Sequence, residues 1–296
     1  MGTSGFLLVD KPAGFTSHDV VAKVRKALGT KKVGHAGTLD PMATGLLVMG
    51  VNSGTKLLTF AVGLEKTYFA TIRLGEATVT DDSEGEITFK ADSAKVFLVN
   101  DEKIYEQVTK LTGTISQVPS AVSAIKVDGV RSYDRVRAGE DVKLAAREVK
   151  VSRFEITQIR RTENFIDLEV WVDCSSGTYI RALARDLGLA LEIGGHLTSL
   201  RRTRVGAFSV ESAITLDELA SGVHQVIELE NACENLMSTI QISKAEAQML
   251  REGKQIDGVV ENVAGAIDSD SLVAVLEQAK PGKLKSLVVF AGDSDD

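Results

Sequence analysis

The sequence predicts an α+β fold built on a mixed, largely antiparallel sheet. Strand-like and helix-like segments follow one another irregularly, without the strict alternation of a doubly wound fold. Two long strand patterns, 148–159 and 165–173, are separated by only a few residues, as in an antiparallel pair. A chain of 296 residues with 44% hydrophobic content has ample core for one large domain or two.

The elements follow in order. Phe6 to Val9 reads as a short strand. Thr16 or Ser17 then caps a helix that lines up Val20, Val21, Val24, Ala27 and Leu28 on one face, and Gly29 ends it. Leu46 to Val51 is a buried strand, and Thr55 to Phe60 a short helix. Tyr68, Ala70, Ile72 and Leu74 alternate with polar neighbours, Phe69 excepted, which predicts a half-buried strand. The acidic stretch from Glu76 to Asp92 is rich in turn formers and predicts a mobile surface loop. Asn100 caps a helix through Ile104, Val108 and Leu111, residues 117–129 run from a loop into a short strand, and 132–139 form a brief helix. The two long strands follow, then a helix from Thr178 to Leu187 with Gly188 as its stop. Near residue 240 the composition changes, which predicts domains at 1–240 and 241–296. The second opens with a capped helix, Ser243 to Leu250, followed by strands at 264–267, 272–276 and 287–290.

Composition narrows the class. Cys174 and Cys233 are isolated, giving neither a disulfide framework nor paired zinc ligands, which fits a reducing compartment. The first ten residues lack the pattern of an export signal. No apolar run approaches the ~18 residues a membrane span needs, so a soluble, cytoplasmic protein is expected. His18, His35, His196 and His224 share no metal-ligand spacing. The net charge of −7 argues against a generally basic surface, but the charge is segregated. Residues 76–102 hold eight acids against Lys90 and Lys95, while Lys23, Arg25, Lys26, Lys31 and Lys32, then Lys126, Arg131, Arg135 and Arg137, then Arg201, Arg202 and Arg204, form basic groups. Such groups suit local contacts to a structured RNA, and each is also what a solvated helix face looks like.

The densest chemical signal is Gly34-His35-Ala36-Gly37-Thr38-Leu39-Asp40-Pro41-Met42-Ala43-Thr44-Gly45. It sets one carboxylate, Asp40, in a glycine-rich loop between a basic segment and an apolar run. The proline biases Asp40 toward extended backbone and the glycines allow close approach of a ligand. An Asp-Pro pair also starts ordinary turns and caps helices, and both readings stand on the residues alone.

This loop, with Leu7-Leu8-Val9-Asp10-Lys11-Pro12, Gly14, Thr16 and Ser17 before it, resembles the TruB family of tRNA pseudouridine-55 synthases. Lys66-Thr67-Tyr68, Ser123-Ala124-Ile125-Lys126 with Gly129, Cys174-Ser175-Ser176-Gly177-Thr178-Tyr179-Ile180-Arg181 and Leu200-Arg201-Arg202 agree with it in order, over roughly the first four-fifths of the chain. The resemblance implies a pseudouridine synthase catalytic domain and a small C-terminal PUA-like domain that contacts RNA. It implies isomerisation of the T-loop uridine of tRNA: base flipping, cleavage of the N-glycosidic bond and religation of C5 to C1′, with no cofactor or metal. Asp40 is the essential carboxylate by its place in the motif. It has three routes, adding to the sugar, adding to the base or taking the 2′ proton to give a glycal, of which the glycal route is favoured.

The other roles also come from the resemblance. Arg181 keeps Asp40 ionised in an apolar pocket through a two-pronged bond. Tyr68 stacks on the flipped uracil and helps remove the C5 proton. His35 fills the space the base leaves. Leu200 closes the base pocket, and Lys56, Lys11 and Arg202 contact the RNA backbone or pocket. The partner implied is a tRNA T-stem-loop, bound by a monomer without an obligatory protein partner. Pro119-Ser120 and Val122 depart from the family's Pro-Pro pair and aromatic, and the C-terminal region is short. Two rivals remain: a noncatalytic RNA-binding or folding protein on the same scaffold, and a guide-dependent relative acting on ribosomal RNA. A phosphate-binding loop at Gly29 to Gly34 fails, because His35-Ala36 stands where Lys and Ser/Thr are required.

Overall fold

The computed structural model describes residues 3–120, 126–127, 130–131 and 144–290. The chain forms two compact units, one of Met1–Pro41, Gly45–Gly63 and Val205–Asp296, the other of Met42–Thr44 and Leu64–Arg204. The helix expected at 132–139 and the Ser123–Ile125 and Gly129 motif positions lie outside the described residues.

In the first unit, β1 (Gly5–Lys11) leads into α1 (Ser17–Leu28), then β2 (Val33–His35) and β3 (Thr44–Val51). Thr16 caps α1 in a reciprocal box with Asp19, and Gly29 closes it in the left-handed region at φ 63°. The helix buries Val20, Val21 and Val24 against Leu7, Val9, Leu47, Met49 and Val51. At about 1.5–3 kcal/mol for each such side chain taken from water, this layer fixes α1 over the sheet. β1 runs antiparallel to β3, from Gly5 opposite Val51 to Lys11 opposite Gly45, and parallel to Ile214–Thr215 on its other edge. β2 also pairs with β3, and the loop carrying Asp40 joins the two.

The second unit contains β4 (Lys66–Leu74), β5 (Glu76–Thr78), β6 (Ile87–Lys90), α2 (Asp101–Lys110), β7 (Gly113–Gln117), β8 (Arg147–Arg161), β9 (Ile166–Cys174), α3 (Ile180–Ala190) and β10 (Gly195–Val205). The strand order is β10-β4-β9-β8-β7, and β4 with β9, β9 with β8 and β8 with β7 are antiparallel. Alternating burial along β9 is that of a sheet with one face in the core.

C-terminal residues of the first unit form a mixed five-stranded sheet in the order Thr239–Gln241, Val263–Asp268, Ser271–Lys280, Lys283–Val289, Ile256–Asp257, with only the first pairing parallel. α4 (Lys244–Arg251), capped by Ser243, covers it through Ala247 and Leu250. The α+β class, the mixed and largely antiparallel sheet and the small PUA-like C-terminal fold are thus all present.

Three expectations are corrected. β10 was not anticipated. The acidic stretch is built into the fold rather than being only a surface loop: β5 pairs with β6, and Asp82 is 2% exposed. Gly188 is an interior residue of α3, not its stop. A Cβ there would fall 2.1 Å from the Gly195 nitrogen and 2.2 Å from the Gly194 carbonyl carbon, so the glycine exists for close backbone approach. Alanine normally favours a helix over glycine by roughly 1 kcal/mol. Here Gly188→Ala is expected to destabilise by about 1–3 kcal/mol through overpacking, measured as a lower urea midpoint. An unchanged or higher midpoint refutes the packing argument.

Candidate active site

The loop bearing Asp40 is fastened through its backbone on both sides of that residue. Before it, the buried Ser17 hydroxyl accepts from the Leu39 nitrogen (2.9 Å) and donates to the Leu39 carbonyl (3.2 Å). After it, the Pro41 carbonyl accepts from the Gly14 nitrogen (2.9 Å) and the Lys11 ammonium (3.2 Å). Lys11 is fully buried, and its ammonium also donates to the carbonyls of Phe15 (2.6 Å) and Pro12 (3.1 Å). An ammonium out of water needs such acceptors, and here they are the backbone turns that frame the loop. Gly37 and Gly45 take left-handed φ values of 92° and 101°, which lets the chain reverse around a half-buried Asp40.

His35 sits at the end of β2, half-buried, its ring edge-to-face with that of His18 at 5.8 Å. Lys56 is exposed. Its ammonium donates to the Val289 carbonyl (2.9 Å) and lies 5.5 Å from the Phe290 ring centre.

In the second unit, Tyr68 is opposite Val172 across β4 and β9 and is 7% exposed. The Ser199 hydroxyl donates to that of Thr71 at 3.1 Å, so odd-numbered residues of β10 and β4 share a face. By the alternation of strands, Lys66, Tyr68, Leu200 and Arg202 share the other. All four are buried, Arg202 at 1% exposed. Tyr68, Leu200 and Arg202 are therefore gathered on one surface. Burial pushes the Lys66 ammonium down to about 8, and the neighbouring Arg202 charge adds to the effect.

Arg181 projects from the first turn of α3 and is 5% exposed. The helix start is held by Gln117, whose side chain accepts from the Tyr179 nitrogen (2.8 Å) and donates to the Tyr179 carbonyl (3.1 Å). The guanidinium donates to the Thr80 carbonyl (2.7 Å) and pairs with Asp82 at 3.3 Å. Asp82 is in turn fixed by the Thr80 hydroxyl (2.5 Å) and the Glu84 nitrogen (3.1 Å). Sequence reasoning missed Asp82. The signal was the run Thr78-Val79-Thr80-Asp81-Asp82, with hydroxyls two and four residues before a carboxylate, a local hydrogen-bonding pattern and not merely an acidic surface.

Removing one partner of a buried ion pair costs about 3–5 kcal/mol where the other charge stays desolvated. Asp82→Asn is therefore expected to lower stability by about 3 kcal/mol in urea unfolding. A loss under 1 kcal/mol, the range of an exposed pair, contradicts a desolvated Arg181–Asp82 contact.

The chain is similar to known proteins over nearly its whole length. The model of the TruB family pseudouridylate synthase N-terminal domain matches residues 25–180, and that of the tRNA pseudouridylate synthase B C-terminal domain matches residues 181–241. A protein of Arthrobacter sp. (strain FB24) named tRNA pseudouridine synthase B is 52% identical over 305 residues, covering 99% of this chain and 98% of its own. One of the same name from Leifsonia xyli subsp. xyli (strain CTCB07) is 53% identical, with 98% and 97% covered. Among solved structures, the chain is similar to one in the crystal structure of a Cbf5-Nop10-Gar1 complex, with a TM-score of 0.72 and 26% identity over 97% of this chain and 85% of that one. The chain belongs to the TruB family of tRNA pseudouridine synthases.

Proposed function

We propose that this chain isomerises the T-loop uridine at position 55 of tRNA to pseudouridine, with Asp40 as the essential carboxylate. The reading rests above all on the loop that carries Asp40. Its motif is the family's, and both backbone neighbours of Asp40 are fastened by Ser17, Gly14 and Lys11, so the carboxylate is presented by a rigid frame. Preorganisation of this kind is what a nucleophile or base needs, since a displaced group forfeits most of its rate advantage.

The reaction breaks the bond from uracil N1 to ribose C1′ and forms one from C5 to C1′. The C5 proton leaves and N1 gains one, so the change is a net isomerisation. Asp40 assists cleavage, in the favoured route by taking the 2′ proton. Arg181 holds the carboxylate ionised. Tyr68 stacks on the uracil and receives the C5 proton once the new bond exists, and Leu200 closes the base pocket beside it. His35 enters the RNA where the base has left. Lys11, with its ammonium on three carbonyls, also braces the Asp40 loop, and Lys56, which donates to the Val289 carbonyl, also ties down that end of the C-terminal sheet, beside the RNA contacts proposed for both. Arg202 remains a pocket residue. The C-terminal PUA-like sheet adds RNA contact. Among the described residues no helix is long and apolar enough to cross a membrane, and we assign the activity to a cytoplasmic monomer.

Release of tritium from C5-labelled uracil in an unmodified tRNA transcript tests the reading. Wild type is expected to release the label, and a transcript with cytidine at position 55 to give none. Asp40→Asn should lose about 10³-fold or more, within the range a positioned proton-transfer group supplies. Activity only in the presence of a guide RNA and protein partners supports the ribosomal RNA reading, and no activity in any setting supports the noncatalytic one. Tyr68→Phe keeps the ring face and loses the phenol oxygen, so kcat should fall while KM holds. A rise in KM alone removes Tyr68 from proton transfer. Arg181→Lys keeps the charge but not the fork, and near-wild-type turnover in it excludes Arg181 from the chemistry.

A further inference from the structure

We infer that the ion pair between Asp81 and Arg185 is a positioning device for Arg181, with Arg185 as a second anchor of the turn that presents Asp82. The inference rests on the role given to Arg181 above. Along an extended chain, successive side chains point to opposite faces. Asp81 and Asp82 instead both meet α3, because Asp81 adopts a left-handed φ of 60°. That conformation is uncommon outside glycine and is most tolerable in Asn and Asp. Asp81 pairs with Arg185 at 3.3 Å, and Asp82 with Arg181 at 3.3 Å. The two arginines are four residues apart on α3, one turn along the same helix face.

The turn has further supports. The Asp81 carbonyl accepts from the Leu197 nitrogen (3.0 Å), and Asp82 bridges to Leu197 in parallel register, three residues before Leu200. Arg185 also reaches the end of β7, donating to the Val118 carbonyl at 2.7 Å, and bonds Asp186 at 2.9 Å. Gln117, the residue before Val118, is the one that holds Tyr179. The end of β7 thus grips α3 at its start and again at Arg185, and Arg185 passes the constraint on to the turn facing Arg181. The Asp81 and Arg185 side chains are only 13% and 21% exposed, so water screens the pair little. Burial raises the Asp81 carboxyl above its usual range, although the Ser120 hydroxyl and then the charges of Arg185 and Arg181 pull it down.

Asp81→Asn tests this, because asparagine accepts the left-handed backbone, removes the charge and keeps one acceptor oxygen in the place of two. Steady-state kinetics on the unmodified tRNA transcript should show kcat down about 10-fold with KM within about 2-fold, the signature of displaced geometry and not of weaker binding. Arg185→Gln should behave alike, and Arg185→Lys should recover part of the loss. In Asp81→Asn/Asp82→Asn the two losses should combine to less than their product, since both act through Arg181. Independently of turnover, solvent exchange of the Arg181 Nε proton, followed by nitrogen-15 NMR, should speed up in Asp81→Asn, because a loosened guanidinium is protected less. If Asp81→Asn does not fold, the Arg185 variants carry the same kinetic and exchange readouts. Unchanged kcat in folded variants of an active enzyme overturns the inference even if their melting temperature falls. Should wild type prove inactive on tRNA, the proposed function fails first. The exchange measurement then still decides: faster exchange supports positioning, and unchanged exchange ends it.

Discussion

A guanidinium taken almost completely out of water is the constraint around which the second unit is organised. Arg181 needs acceptors in fixed places, and the fold supplies them from a distant stretch of chain, the Thr80 carbonyl and the Asp82 carboxylate. That requirement explains why an acidic, turn-rich segment is folded inward. Continuum reasoning makes a buried pair a poor source of net stability compared with apolar packing. What the pair provides is a unique orientation for an arginine whose planar fork is useful only when aimed.

The first unit secures the loop that carries Asp40 on either side of that residue. Its loop is secured through main-chain groups of Leu39 and Pro41, by a hydroxyl and an ammonium that are themselves interior. Interior polar groups of this kind impose geometry because leaving them unmade is costly. Both units therefore spend polar burial on direction, one for a cation and one for an anion, while the aliphatic layers beneath α1 and along β9 carry the hydrophobic contribution.

The parts of the fold that were legible in the sequence are those set by local chemistry. Thr16 with Asp19, Asn100 and Ser243 each mark a helix start by a side chain bonding nearby backbone, and each helix begins there. β4 was legible from its alternation. β10 was not: in Gly195–Val205 a buried arginine and two threonines replace the apolar alternation, because neighbouring strands and pocket chemistry dictate its residues. Gly188 looked like a stop because the reason for it, the approach of Gly194 and Gly195, is tertiary. Of the candidate site, the motifs named Asp40, which lies in a loop braced through its backbone, and Tyr68, Leu200 and Arg202, which share one buried face. They were silent on Asp82 and Asp81, whose role depends on a left-handed turn and on a helix about a hundred residues further along. Lys11 and Lys56 carried no sign in sequence of the carbonyls they serve.

Lys56 also sets a boundary on how far the chain can be shortened. Its ammonium grips the Val289 carbonyl and lies over the ring of Phe290, while the Phe290 nitrogen donates to the Val273 carbonyl at 2.8 Å and the ring itself is 1% exposed. Phe290 is therefore a clasp on the final strand. An expression fragment that stops before it would lose the backbone bond to Val273 and the buried ring that Lys56 covers, leaving an adhesive surface where the intact polypeptide has a sealed one.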